Sequence, residues 1–176
     1  ILKEAEEGKY GDHPETVLRR IDEEERKCAL KLLENDREGV IGARILPGKW
    51  VVRTPSNIYW NGIKALKIFT NESLSIHEYV RLICSLSEKK DAVKLGNRND
   101  DAEDDGIGDD KYAGDTDGLH FWNLPDTYKT NWRENLQIRL LPKEAAFLKQ
   151  QIIKGVPDTL FAFLLKNHID VNKYDA

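Results

Sequence analysis

Residues 55–62 read Pro55-Ser56-Asn57-Ile58-Tyr59-Trp60-Asn61-Gly62, and they constrain the chain more than any other stretch. Proline biases the residue before it toward extended backbone, so an extended segment ends here and a helix begins. Ser56 is placed to cap the amides of the first turn. Gly62 falls inside the same helix, where glycine costs about 1 kcal/mol relative to alanine. That cost predicts a close approach to its backbone, or a bend. Tyr59 and Trp60 are adjacent, so they point about 100° apart on a helix. One faces the core and the other is partly exposed. An exposed Trp60 beside Asn61 would form a partner-binding hot spot; the plainer alternative packs both rings within the fold.

Helical patterns flank this stretch. Residues 14–36 form a long amphipathic run, with Asp12 or His13 as cap and Pro14 and Glu15 in the first turn. Val17, Ile21, Cys28 and Leu32 make its apolar stripe, which the charges of Asp22–Lys27 interrupt. Gly39 is placed to end it. After Ser56, the residues Tyr59, Ile63 and Leu66 recur at helical spacing. Ser75-Ile76-His77-Glu78 is a capping box, with Tyr79, Leu82, Ile83 and Leu86 on the buried face of the helix it opens. Pro142-Lys143-Glu144 opens a helix carrying Ala145, Leu148 and Ile152 and ending at Gly155. Pro157 begins another, whose Leu160–Leu165 run is apolar nearly all round and so predicts burial. Two β-prone runs, 40–45 and 49–53, flank a Pro47-Gly48 turn and predict a small hairpin. Residues 136–140 alternate like a short strand.

These patterns predict a mainly α fold with about five helices and one or two short β elements, compatible with a winged-helix-like arrangement. The organisation expected is a helical or winged-helix-like unit over 1–87, an acidic mobile insertion over 88–118 and a helical unit over 119–176 packed on the first, together one compact domain. The 176 residues are 40% hydrophobic and 33% charged, the balance of a soluble globular chain, with a net charge of −4. That charge gives no global affinity for nucleic acid. No apolar run has membrane-spanning length, and no signal peptide is present. Cys28 and Cys84 make no disulfide framework, which fits a cytoplasmic setting. The chain contains no Met and starts in charged helical sequence, so it reads as a segment of a longer polypeptide.

Motifs for chemistry are sparse. Asp109, Asp110, Asp115 and Asp117 lack the spacing and closing Glu of a calcium loop. His13, His77, His120 and His168 are scattered, and neither cysteine lies in a Cys-x-x-Cys pair. His120, beside Phe121 and Trp122, reads as a packing residue ahead of a catalytic one. Cys84 reads as a small buried hydrophobe, and no His base lies near Cys28 in sequence. The Gly39–Gly42 segment lacks the following helix that a phosphate loop requires. Nothing calls for a cofactor. Nucleic-acid contact has more support. Two helices, 56–68 and 75–86, follow the expected hairpin, as in winged-helix DNA binders. Lys64, Lys67 and Arg81, with Arg44 and Arg53, would neutralise phosphates, and Asn61 would lie nearest a base edge. The competing explanation is ordinary: two-helix units bearing a few lysines are common, and the charge pattern here is mixed.

Pro55–Ile63, Gly39–Gly42, Phe121-Trp122-Asn123-Leu124-Pro125 and Leu140–Leu148 together resemble an uncharacterised bacterial family described only as a domain of unknown function. The resemblance covers about residues 20–165 in four islands. It implies that the chain is the middle of a longer protein, and it carries over no catalytic residue. Members of that family are associated with bacterial DNA-processing or antiviral genes. The reading is therefore a non-catalytic interaction or DNA-associated module of a larger cytosolic bacterial protein, with DNA, a protein or a second copy as partner. A metal-dependent nuclease or hydrolase using Asp115 and Asp117 is the enzymatic alternative. A structural scaffold or oligomerisation domain, with an exposed apolar patch at Trp60 or Trp122, is the third.

Overall fold

A computed structural model describes residues 1–35, 37–96, 120–129 and 131–169, with the side chains of 90–96 and 135 left aside. Among the described residues the chain forms six α-helices: α1 Leu2–Glu6, α2 Pro14–Asn35, α3 Pro55–Ala65, α4 Ile76–Gly96, α5 Pro142–Gly155 and α6 Leu160–Lys166. A 3₁₀ turn lies at Trp132–Asn135. The mainly α expectation holds. The calcium and metal expectations at Asp109, Asp110, Asp115 and Asp117 lie outside the described residues, as does most of 88–118; the start of that span is helical, because α4 runs on to Gly96.

The hairpin does not form. Residues 41–48 are a succession of turns and 49–53 form no strand. Gly39 and Gly42 both sit at positive φ, and the Gly42 carbonyl accepts from the N–H groups of Ile45 and Leu46 at 3.0 Å each. These local bonds use up groups that a ladder would need. A winged-helix arrangement therefore has no wing among the described residues. The alternation at 136–140 gives no strand either. Among the described residues the β pairing is one isolated antiparallel bridge, Phe69 with Trp122.

The chain divides into two units, each built from two separate stretches. The described residues of Ile1–Glu24 and Leu74–His120 form the first. Its core holds Leu2, Ala5, Val17, Ile21, Ile76, Tyr79, Val80, Ile83 and Cys84. The capping box is present: Ser75 N–H donates to Glu78 Oε2 at 2.8 Å, and Glu78 N–H donates to Ser75 Oγ at 3.2 Å. It starts α4 in a register that buries Tyr79 and Ile83, with Leu82 and Leu86 half-buried. The Tyr79 hydroxyl donates to Glu6 Oε2 at 2.7 Å and so ties α1 to α4. Glu4 is buried as well; it accepts from Lys9 Nζ at 2.7 Å and from the Tyr10 hydroxyl at 2.9 Å. A buried carboxylate is tolerable only with such donors.

The described residues of Glu25–Ser73 and Phe121–Ala176 form the second unit. Glu25 belongs to the charged run that interrupts the α2 stripe in sequence. It lies four residues after Ile21, hence on the same helix face, and it is only 7% exposed. Its Oε1 accepts from the Ser56 N–H at 2.7 Å and its Oε2 from the Ser56 hydroxyl at 3.3 Å. Thr54, rather than Ser56, holds the cap position of α3. An amide with no partner inside the helix thus receives a carboxylate from α2, and the negative charge suits the helix N-terminus. α6 starts later than Pro157 suggests, because the Thr159 hydroxyl accepts from Ala162 N–H at 3.2 Å and caps it.

Gly62 corrects another expectation. α3 runs through it, and a Cβ built there meets nothing within 4 Å. The close approach is instead at Gly155, the last residue of α5. A Cβ there would lie 2.3 Å from the Ala65 carbonyl oxygen and 2.8 Å from Leu66 Cα. These are backbone atoms that cannot turn aside.

Two outcomes follow from this packing. Gly62→Ala is expected to raise unfolding stability by about 0.5–1 kcal/mol, whereas Gly155→Ala lowers it by about 2 kcal/mol or more, both read by urea denaturation. Glu25→Ala leaves the buried Ser56 N–H without its acceptor, the Ser56 hydroxyl keeping Thr54 Oγ1 at 3.1 Å, and should cost about 2 kcal/mol. Glu23→Ala, which removes exposed pairs with Arg19 and Arg20, should change stability by less than about 1 kcal/mol in the same assay.

Candidate interaction surfaces

Phe69 organises the region where the expected site residues lie. It is fully buried, with its ring centroid 4.6 Å from Trp60, 5.0 Å from Trp122 and 5.8 Å from Phe121. The Trp122 contact is edge-on and the Phe121 contact is stacked, and both geometries are favourable for aromatic pairs. Two backbone bonds hold the strands of this bridge in register. Thr70 N–H donates to the Phe121 carbonyl at 2.9 Å, and Asn123 N–H to the Ile68 carbonyl at 2.8 Å.

Trp60 is therefore core, at 5% exposure, and cannot serve as a surface hot spot. The exposed member of the pair is Tyr59, at 55%. The buried face of α3 runs through Ser56 and Trp60, one position removed from the stripe that Tyr59, Ile63 and Leu66 suggest. Trp122 is half-buried, packing its edge toward Trp60 at 6.4 Å. His120 is exposed rather than packed.

The candidate phosphate contacts have other engagements. Lys64 Nζ donates to the Glu72 carbonyl at 3.0 Å and sits 6.0 Å from the centre of the Trp60 ring. Lys67 pairs with the Glu72 carboxylate. It also occupies the left-handed region, at φ 56°, just beyond α3. Lys67 N–H donates to Lys64 O at 2.9 Å and Ile68 N–H to Ile63 O at 3.0 Å, the bond pattern of a Schellman helix end. Such an end usually takes Gly. Here Asn123 Nδ2 holds the Lys67 carbonyl at 2.8 Å. Lys64 and Lys67 are thus close to Glu72 and half-buried, while Asn61 is exposed on α3. Arg81 is exposed on α4, in the first unit, so it does not share a unit with the two lysines.

Cys84 is buried in α4. Burial pushes its thiol pKa up, and Asp12 and Glu88 push it further, so it stays a protonated thiol at neutral pH. Among the described residues no group of three or more His, Cys, Asp or Glu side chains is gathered to hold a metal ion. No helix among them is long and apolar enough to cross a membrane.

A surface the periodicity did not reveal lies on α6. Its apolar composition predicts burial, yet Leu160 is 73% exposed, Phe161 58% and Phe163 54%, while Ala162 faces inward. At 100° per residue, the three exposed side chains cover one arc opposite Ala162. Seven apolar-rich residues in a row carry no periodic signal to separate an inner from an outer face. No family model, curated protein or solved structure matches the chain.

The two aromatics of α3 separate these assignments. Trp60→Ala should cost about 3–5 kcal/mol of stability, as for other buried large aromatics. Tyr59→Ala should stay within about 0.5 kcal/mol of wild type in the same thermal or urea titration.

Proposed function

We propose that the chain is a non-catalytic protein-interaction module that docks through the outer face of α6. The observation that carries this reading is the exposure of Leu160, Phe161 and Phe163 on one arc of one helix. Burying such a side chain is worth about 1.5–3 kcal/mol, so three together supply a useful share of a docking energy. The last turn of α6 is held by Asn167 N–H to the Phe163 carbonyl at 3.0 Å and Ile169 N–H to the Leu164 carbonyl at 3.0 Å. Its first turn is capped by Thr159. A helix fixed at both ends presents its apolar face at little entropic cost to a partner.

DNA association has less support. Its two lysines would have to leave Glu72, and the expected wing is a run of turns. The enzymatic alternative rests on Asp115 and Asp117, which lie outside the described residues.

The test compares wild type with Phe161→Ser and Phe163→Ser. Tagged protein is used for partner capture from cell lysate, and sedimentation velocity follows self-association. The expected result is capture or self-association that falls about tenfold or more in each variant, with an unchanged circular dichroism spectrum. Association indifferent to both substitutions would defeat the reading. Salt-dependent DNA binding lost on Lys64→Ala with Lys67→Ala would replace it with the DNA-associated one.

A further inference from the structure

Between α2 and α3 the chain does not cross directly but coils into turns around an open cavity of about 540 Å³. The cavity falls in the size range of small-molecule sites. Arg37 and Arg44 both line it. Neither forms a hydrogen bond or ion pair with another described residue. Two arginines thus line one cavity, and neither engages a carboxylate of another described residue. Glu38 also lines the cavity but has an interaction of its own in the chain.

The backbone adds donors. Glu38-Gly39 and Ile41-Gly42 each place a residue of negative φ before a glycine of positive φ, at 80° and 86°. Such alternation turns successive N–H groups toward one concave side, an arrangement that favours anions. The local bonds of the loop use the N–H groups of Ala43, Ile45 and Leu46. Those of Gly39, Val40, Gly42 and Arg44 take no acceptor among the described residues. The loop shape is fixed by packing as well as by glycine. A Cβ on Gly42 would press on Val51 Cγ1 at 3.1 Å, and the Ile138 side chain sits 3.7 Å from where a Gly39 Cβ would be.

We propose that this loop binds a phosphate-bearing small molecule, with Arg37, Arg44 and the free N–H groups of Gly39–Arg44 on its oxyanion and Val40 and Ile45 against its apolar part. Guanidinium groups suit phosphate because they are planar, permanently charged and offer paired donors. The site is not a strand–loop–helix phosphate cradle, since no helix follows it directly. It is independent of the α6 surface, so either assignment can fail alone.

The experiment is a titration of the ¹⁵N-labelled chain with phenyl phosphate, and separately with inorganic phosphate, at constant ionic strength, followed by amide chemical shifts. The expected result is a saturable, concerted shift of the Gly39, Val40, Gly42 and Arg44 amides, with phenyl phosphate the tighter ligand. Arg37→Gln and Arg44→Gln should each weaken binding about tenfold, and the double variant should abolish it. Arg81→Gln, an exposed arginine of the other unit, should leave it unchanged. No saturable shift, a shift that survives in the double variant, or a shift confined to residues outside 37–45 would overturn the proposal. Both arginines are exposed, so unaltered spectra elsewhere in the variants will show that the fold is kept.

Discussion

Phe69 is the residue on which the second unit depends. It lies just beyond α3, and its ring joins a helix residue, Trp60, to two residues of a distant stretch, Phe121 and Trp122. The aromatic contacts fix side chains, and the paired backbone bonds at Thr70 and Asn123 fix the two stretches between which those side chains lie. Neither set is sufficient alone. A single bridge without the rings would be marginal, and rings on unfixed backbone would lose their edge-on geometry. The left-handed turn at Lys67 is a consequence: it reverses the chain after α3 so that Phe69 can point back at Trp60. The cost of holding a non-glycine residue in that region is of order 1–2 kcal/mol, and it persists because both sides of the turn are anchored.

The same cluster explains which sequence signals were legible. The two aromatic blocks, at 55–62 and 121–125, stand out in sequence, and in the structure their tryptophans meet around Phe69. What sequence could not supply was the register. Tyr59 and Trp60 differ by one position, and only a partner across the fold decides which faces inward; Phe69, in an unremarkable Ile-Phe-Thr context, was that partner. The capping box at Ser75–Glu78 was legible because all its parts lie within four residues. The cap of α3 was not, because half of it is Glu25, some thirty residues away and inside a charged run. Glycine misled for a similar reason. Gly62 reads as a mid-helix residue and Gly155 as a helix end, but whether another backbone comes near either is a tertiary fact. The β reading of 40–53 failed because β-branched residues state a preference that glycines at positive φ override.

Buried and half-buried carboxylates have a consistent part in both units. Glu4, Glu6 and Glu25 all accept bonds from groups on or beside a different helix or turn: Lys9 and Tyr10, Tyr79, and Ser56. Each sits in a segment whose charge density suggests solvated helix faces. Charged residues there are sorted by face rather than by segment, so composition alone hides them. The bonds of Glu6 and Glu25 tie α1 to α4 and α2 to α3, which apolar contacts by themselves would allow to slide.

A reactive centre usually shows itself as a titratable group in a cleft with its demands unmet. The buried carboxylates described here are instead occupied in holding helices together, and the buried thiol of Cys84 is driven toward its unreactive form. Two features of other kinds lie elsewhere among the described residues. The one on α6 is apolar, three large side chains facing water. The one at the 37–45 loop is cationic, two exposed arginines and a set of amides with no acceptor among the described residues. Apolar surface calls for a partner's surface, and paired guanidinium groups call for an oxyanion. That distribution, rather than the lack of a recognisable motif, is what supports the proposed binding role.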